Sequence, residues 1–166
     1  MEKEVKILGG AAIIFGGAYY ITYRRAYNVL KNCRYDISRV FIDTIDNNGF
    51  VLGIRVKIVN PSSREVSVEN GNNLLLYINT YPVARVQVPF QQFIRAKETT
   101  ELTLAVVARW NDVSQWWNIL LDLANTADLK VAGKLRVNGL SVPIPPISVY
   151  QYNIDDIVRT IKNHNM

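Results

Sequence analysis

Residues 7–23 form an uncharged run close to the start of the chain, and this run constrains the fold more than any other feature. A helix of these 17 residues is about 25 Å long at ~1.5 Å per residue, which is near the ~30 Å thickness of a hydrocarbon core. Arg24 and Arg25 follow the run directly, as basic residues at a membrane surface commonly do. The sequence therefore predicts a single transmembrane helix that precedes a separate body.

Two other interpretations of the run stay open. Its first half, followed by the small residues 16–18, fits a cleaved signal peptide, although the leader sets two Glu against two Lys. Because the run has no polar face, it also fits a helix buried in a protein core. The paired arginines favour a membrane anchor over a signal peptide.

Small and aromatic residues in this region predict two kinds of contact. Gly9, Ala12 and Gly16 lie at positions i, i+3 and i+7, so they share one helical face that another helix could approach closely. We expect that face to pack against protein partners or further copies of the chain. Tyrosines and basic residues are expected at the membrane interface, namely Tyr19, Tyr20, Tyr23, Arg24, Arg25 and Lys31.

The net charge of +5 is concentrated beside the predicted anchor. Residues 1–36 hold six Lys/Arg against three Asp/Glu, whereas residues 37–166 hold thirteen against eleven. Four of the basic residues follow the uncharged run and two precede it, which favours a body on the cytoplasmic side of the membrane, or an equivalent interior. Since the body has no basic stripe interleaved with aromatic residues, we expect no nucleic-acid binding.

From residue 35 onward, apolar side chains recur at every second position, which is the period of a β-strand. In residues 51–59, Ile54, Val56 and Ile58 alternate with polar side chains, so we expect these three to face a core. Three Asn-Gly pairs between such segments predict tight turns. These patterns predict a mainly β fold, an antiparallel β-sandwich of about seven strands.

One segment of the body departs from the strand period. After a cap at Asn111 or Asp112, residues 113–124 place apolar side chains on one face, which predicts a helix. Trp116 lies about 100° away from that face, so it is a candidate partner contact, although core packing is the favoured interpretation. The chain is thus divided into a membrane anchor and basic stalk (1–34), a β-sandwich (35–152), and a short helix and tail (153–166).

Four stretches of the body follow one another in a distinctive order: VLGIRVKIVNPSS, LLLYINTYPVARV, IRAKETTELTLAV and VAGKLRVNGLSVPIP. They read as an alternating strand ending in Asn-Pro, a hairpin, a polar turn before an apolar strand, and a closing pair. Over most of residues 37–150 the chain therefore resembles the late embryogenesis abundant type 2 family, also called the water stress and hypersensitive response domain. The resemblance implies a fibronectin-III-like sandwich of about seven strands with one helix, and no enzyme activity.

Residue types that carry catalysis or bind metals are sparse. His164 is the single histidine and lies near the C-terminus, and Cys33 is the single cysteine, within the basic stalk. The sequence has no Cys/His cluster at metal-ligand spacing, no nucleophile–base pair and no phosphate-binding glycine loop. We therefore predict no enzyme activity, no cofactor and no metal site.

Together these features predict a non-catalytic single-pass membrane protein whose β-sandwich is a structural or protein-interaction module. A cell envelope and a membrane-associated virus particle both fit this prediction. The expected partners are the lipid bilayer and either other proteins or further copies of the chain. The alternative is a membrane-tethered protein that binds a lipid or another apolar ligand between its sheets.

Overall fold

The computed structural model describes residues 2–112 and 125–165, and it describes side chains from residue 17 onward except those of residues 72 and 165. Within these limits, helix α1 (Glu2–Asn32) leads into nine strands and a C-terminal helix, α2 (Asp155–Asn165). The described part thus holds nine strands, where the sequence predicts about seven. The strands are β1 (Arg34–Ile45), β2 (Gly49–Val59), β3 (Val66–Glu69), β4 (Gly71–Ile78), β5 (Tyr81–Val88), β6 (Gln92–Ile94), β7 (Thr99–Arg109), β8 (Thr126–Val137) and β9 (Leu140–Asn153).

The strands form an antiparallel β-sandwich. In one layer β2 lies between β1 and β7, and in the other β8 is the central strand. β9 pairs with one edge of β8, while β4 and β3 pair with successive parts of its other edge and continue to β5 and β6. A single pairing, Gln87 with Ala105, joins β5 to β7 and closes one side of the sandwich.

The shortest strand, β6, has too few residues to show an alternating pattern, so the sequence did not predict it. A buried glutamine fixes it beside β7: the Gln92 amide donates to the Thr103 carbonyl oxygen at 2.8 Å, and the Thr103 N–H donates to Gln92 Oε1 at 2.7 Å. The side-chain amide of Gln92 therefore donates one hydrogen bond to β7 and accepts one from it, as the backbone of a neighbouring strand would.

Only some of the predicted Asn-Gly turns have the expected backbone. Asn138 and Gly139 both have positive φ, 50° and 76°, as a two-residue hairpin turn requires. Neither Asn48 nor Gly49 has positive φ, so the chain turns between β1 and β2 in a different way. There the carboxylate of Asp46 accepts hydrogen bonds from the N–H groups of Asn48 and Gly49, at 2.7 and 3.1 Å. This Asx turn reverses the chain without a left-handed conformation at either residue.

The core lies between the two layers, and the inward positions of β2 were predicted correctly, since Ile54, Val56 and Ile58 are fully buried. α1 contributes to the same core. Its last turns bury Ala26 and Leu30, and Tyr35 at the start of β1 donates its hydroxyl to the Leu30 carbonyl oxygen at 2.7 Å. α1 therefore ends inside the body rather than above it. Among the residues described, no helix is both long and apolar enough to cross a lipid bilayer.

The two helices lie at opposite ends of the sandwich. Val59 at the end of β2 pairs with Arg34, and one residue separates Arg34 from the end of α1. We therefore call this the proximal end. At the other end of β2, the carbonyl oxygen of Asp46 is 3.0 Å from Nε2 of His164 in α2, and we call this the distal end. α2 buries Ile161 completely against the core.

Candidate functional site

The exposed part of α1 carries the residues predicted at a membrane interface. Tyr19 and Tyr20 are each 60 % exposed and Ile21 is 50 % exposed. Arg24 and Arg25 follow them and are also exposed. A side chain that combines an apolar body with a polar tip is suited to the boundary between lipid and water.

Two further predicted interface residues lie closer to the body. The ring of Tyr23 is half-buried and stacks on that of Tyr27, with centroids 6.3 Å apart. The amine of Lys31 lies 5.8 Å from the Tyr27 ring centroid. The interfacial role of these residues stays a prediction.

The remaining predicted contact residues cannot be placed. Gly9, Ala12 and Gly16 belong to the part of α1 whose side chains are not described, and Trp116 lies outside the described residues. The next glycine, Gly17, is described, and a Cβ built on it would meet nothing within 4 Å.

A groove lies at the proximal end, between α1 and the loop of residues 60–64. Its volume is about 560 Å³. α1 supplies tyrosine, isoleucine and arginine side chains to one wall, and the loop supplies serine and arginine to the other. We call this the proximal groove, and its principal lining residues are Tyr20, Ile21, Arg24, Arg25, Ser63 and Arg64.

The three arginines of the proximal groove form no ion pair with any described side chain. The two ion pairs in the described part of the chain are Arg55–Glu101 and Arg136–Glu69, and neither involves them. One carboxylate lies nearby: Glu65 lines an adjoining hollow of about 350 Å³ together with Arg25 and Arg64. The groove thus has an excess of positive charge beside exposed aromatic and aliphatic side chains.

Asn60 holds the loop wall of the groove in place. It is 1 % exposed, and its Nδ2 donates to the Arg64 carbonyl oxygen at 2.7 Å. Its Oδ1 accepts both the N–H and the hydroxyl of Ser62, at 3.0 and 2.7 Å. Its own N–H donates to the Glu98 carbonyl oxygen at 3.1 Å. Because one buried side chain satisfies three groups of the loop, the loop conformation is prearranged.

The interior of the sandwich offers little room for a ligand. The cavity between the layers has a volume of about 30 Å³. Its lining is wholly apolar and includes Phe50 and Val106 from the sheets and Ile161 from α2. Ligand sites for small molecules commonly have volumes of ~300–1,000 Å³. This cavity therefore has the size of a packing defect rather than that of a ligand site.

The single cysteine is buried at the proximal end. Burial raises the pKa of the Cys33 thiol to about 11, against a smaller lowering by its hydrogen bond with Tyr35. Burial also raises the pKa of Tyr35 far above its ordinary value, and neighbouring Cys33 adds to this. A buried, protonated thiol is a poor nucleophile.

The single histidine has a structural position. Its ring stacks on Trp110, with centroids 5.7 Å apart, and its Nε2 faces the Asp46 carbonyl oxygen. Within the described residues, no three His, Cys, Asp or Glu side chains are grouped so that they could hold a metal ion.

Comparison with known proteins supports the fold. No protein-family model matches the chain, and no curated protein matches its sequence. A protein of Arabidopsis thaliana, solved in solution, is 15 % identical with a TM-score of 0.51, over 74 % of this chain and 83 % of that one. A candidate late embryogenesis abundant (LEA) protein is 14 % identical with a TM-score of 0.46, over 87 % of this chain and 85 % of that one.

A third solved structure, from Archaeoglobus fulgidus, is 12 % identical with a TM-score of 0.47, over 72 % of this chain and 92 % of that one. At such identities a likeness shows the fold alone, and the Arabidopsis thaliana protein is the one that carries it. The resemblance predicted from the sequence is thus supported as a β-sandwich fold, while family membership is a proposal.

Sequence reasoning found one wall of the proximal groove and missed the other. It predicted Arg24 and Arg25 from their position after the uncharged run. It treated residues 60–63 only as the end of a strand, and so missed both the loop wall and Arg64. The signal was present, because an Asn followed two residues later by Ser is a pattern that forms hydrogen-bonded turns.

Proposed function

We propose that this chain is a non-catalytic, single-pass membrane protein of the late embryogenesis abundant type 2-like kind. In this proposal the β-sandwich is a structural or protein-interaction module in a cell envelope or a membrane-associated virus particle. The observation that carries it is the continuity of α1. One helix contains the uncharged run of residues 7–23 and ends with Leu30 fully buried in the sandwich core.

That continuity would make the anchor and the body one mechanical unit. Ala26 is the first core residue among the described side chains of α1, and it follows Arg25 directly. Each helical residue adds ~1.5 Å, so the body would begin within about one helical turn of the predicted membrane surface. A module held in this way has a fixed height and orientation, which suits a platform for assembly more than a domain on a loose tether.

The anchor is tested by extraction of membranes at high pH. We expect the full-length chain to stay with the membrane pellet after a carbonate wash. Ile14→Lys places a charge in the middle of a run that has few strongly apolar residues, at a cost of ~3 kcal/mol for insertion. This variant is expected to move largely to the supernatant.

Val107→Lys is the matched control, since Val107 lies on the body and is 54 % exposed. It adds the same charge and is expected to stay in the pellet. Release of the wild-type chain in folded form would overturn the membrane proposal. Protease digestion of sealed vesicles then places residue 166, and we expect protection when the cytoplasmic face is enclosed.

Assembly through the small-residue face is tested by size in detergent. Gly16→Leu fills the predicted face and is expected to dissociate an oligomer or to weaken a helix–helix contact. Gly17→Leu is the control, because it lies about 100° around the helix and a Cβ there meets nothing within 4 Å. A wild-type monomer, or equal effects of the two changes, would argue against assembly through this face.

The alternative, an apolar-ligand carrier, finds less support. A cavity of about 30 Å³ holds no acyl chain, so a lipid would enter the sandwich only if α2 moved away. Native mass spectrometry after gentle extraction separates the two proposals. A lipid that stays bound to the body after removal of residues 1–25 would favour the carrier.

A further inference from the structure

We propose that the proximal groove binds the phosphate of an anionic phospholipid headgroup, with Arg64 of the sandwich completing a site begun by Arg24 and Arg25 of α1. The inference rests on the proposed membrane attachment and extends it. It states that the body itself touches the bilayer surface and selects the lipid beside it.

Along the groove, apolar and aromatic side chains are followed by positively charged ones. A phospholipid has the matching order, an apolar acyl region followed by a charged headgroup. Tyr20 and Ile21 are apolar or aromatic and exposed, and Arg24 and Arg25 follow one helical turn later. One turn of an α-helix rises about 5 Å. The headgroup layer on each side of a bilayer is ~5–8 Å thick, so arginines placed one turn beyond the hydrocarbon edge lie at phosphate level.

Arg64 is the residue that distinguishes this site from the basic segment that commonly follows a membrane helix. It belongs to the body, yet it faces the same groove as Arg24 and Arg25. Guanidinium groups bind phosphate through paired N–H donors, and three of them around one groove can bind it from several sides. Glu65 borders the adjoining hollow, and it offsets part of this charge without forming an ion pair with any of the three.

The loop wall is rigid before any ligand arrives. Asn60 is buried and holds Ser62 and the backbone of Arg64 through hydrogen bonds of 2.7–3.0 Å. The opposite wall is fixed because α1 is anchored in the core at Leu30. A prearranged site loses little conformational entropy when a ligand binds.

The test compares lipids retained by the full-length chain. The protein is placed in nanodiscs of mixed phosphatidylglycerol and phosphatidylcholine, and the lipids that stay bound are counted by native mass spectrometry. We expect the wild type to enrich phosphatidylglycerol. Arg64→Gln should reduce that enrichment about fivefold, which corresponds to the ~1 kcal/mol of one basic residue at an anionic surface.

Arg109→Gln is the matched control, since it removes the same charge from the opposite end of the sandwich. Arg109 pairs with Gly49 at the distal end of β2, roughly 30 Å from Val59 at ~3.3 Å per residue. Equal enrichment in the wild type and in both variants would overturn the inference while leaving the anchor intact. A chain that fails to enter nanodiscs would instead overturn the proposed function.

A second arm separates a lipid site from a site for free phosphate. Inorganic phosphate is added to the same nanodiscs, and the retained lipids are compared with those in a chloride buffer of equal ionic strength. We expect no loss of retained phosphatidylglycerol. Displacement by inorganic phosphate at millimolar concentration would overturn the assignment to a lipid.

Discussion

The two ends of the sandwich are closed by different physical means. At the distal end α2 buries Ile161, the preceding Ile154 is buried as well, and His164 stacks on Trp110. At the proximal end a single buried amide, Asn60, holds a polar loop beside exposed arginines. The distal end is closed by apolar burial, whereas the proximal end combines the buried Leu30 of α1 with a hydrogen-bonded polar loop and keeps its charges available. The distal end therefore contributes mainly to folding stability, and the proximal end also offers a surface for interaction with the surroundings.

The largest expected effect is at the distal end. Ile161→Ala removes a fully buried side chain that lines the interior cavity, and such changes commonly cost 2–5 kcal/mol. We expect a loss of about 3 kcal/mol in the free energy of unfolding, measured by denaturant titration of the full-length protein in detergent. Ile21→Ala is the control, because Ile21 is 50 % exposed at the proximal end. Comparable losses from both changes would remove the contrast between the ends.

A smaller effect is expected for Asn60→Ala at the proximal end. The change removes the acceptor of the Ser62 N–H and one of the two donors to the Arg64 carbonyl oxygen, which keeps the Ser62 hydroxyl at 3.2 Å. We expect a cost of about 2 kcal/mol. The distal counterpart is Asp46→Ala, which removes the acceptor for the N–H groups of Asn48 and Gly49, the first of them exposed and the second partly buried. Water can replace the acceptor at Asn48, so we expect a smaller loss of about 1 kcal/mol.

Both variants are measured by the same denaturant titration, with lipid retention as a second readout. Asn60→Ala should also lower the enrichment of anionic lipid, since it releases the wall that carries Arg64. Asp46→Ala should leave that enrichment unchanged. If Asp46→Ala destabilised the protein more than Asn60→Ala, the proximal loop would not depend on its buried amide.

The sequence predicts most of the sandwich because alternation is a local property. The long strands, such as β2 and β7, have ten or so residues in which one face must be apolar, and the predicted inward residues of β2 are buried. β6 has three residues, and its position depends on Gln92 reaching β7, a contact that no local pattern contains. Turns are equally dependent on context, since Asp46 determines the conformation at Asn48 and Gly49.

The same reasoning explains why the candidate site was found only in part. The residues after the anchor were interpreted as a stalk from their charge. Yet the core residues of that segment, Ala26, Val29, Leu30 and Cys33, lie at positions i, i+3, i+4 and i+7, which is the stripe of a helix that packs on one side. That stripe could have predicted the docking of α1. The meeting of Arg64 with α1 depends on the tertiary fold and could not have been predicted.

Cys33 allows a pH-dependent test of the proximal end. Because its folded pKa, about 11, lies above the ordinary value of 9.0, the folded state retains its proton at pH values where the unfolded state loses it. Stability is therefore unaffected below about pH 9 and falls as the pH rises from there toward 11. We expect the wild type to lose roughly 1–2 kcal/mol between pH 8 and 10, measured by denaturant titration.

Cys33→Ala is the comparison for that pH series. It removes the thiol and should reduce the slope between pH 8 and 10. A smaller slope remains toward pH 10, because Tyr35 keeps its proton in the folded state, where its pKa is raised, but loses it in the unfolded state near its ordinary value of 10.0. An unchanged slope in Cys33→Ala would show that a different group causes the pH dependence. A thiol reagent at pH 8 gives an independent check, since buried Cys33 should react only after unfolding.

The smallest expected effect concerns His164 at the distal end. The Asp46 carbonyl oxygen accepts a hydrogen bond from Nε1 of Trp110 at 2.9 Å, and His164 Nε2 must also act as a donor because a carbonyl oxygen can only accept. His164→Ala removes that bond and the stacking on Trp110, both at an exposed position. We expect a loss of about 0.5–1 kcal/mol and faster hydrogen exchange in the last turn of α2, with Lys162→Ala as the exposed control. Since Ile161 is the residue that buries α2, faster exchange throughout α2 in His164→Ala would mean that the terminal contact, and not apolar burial, holds the distal end closed.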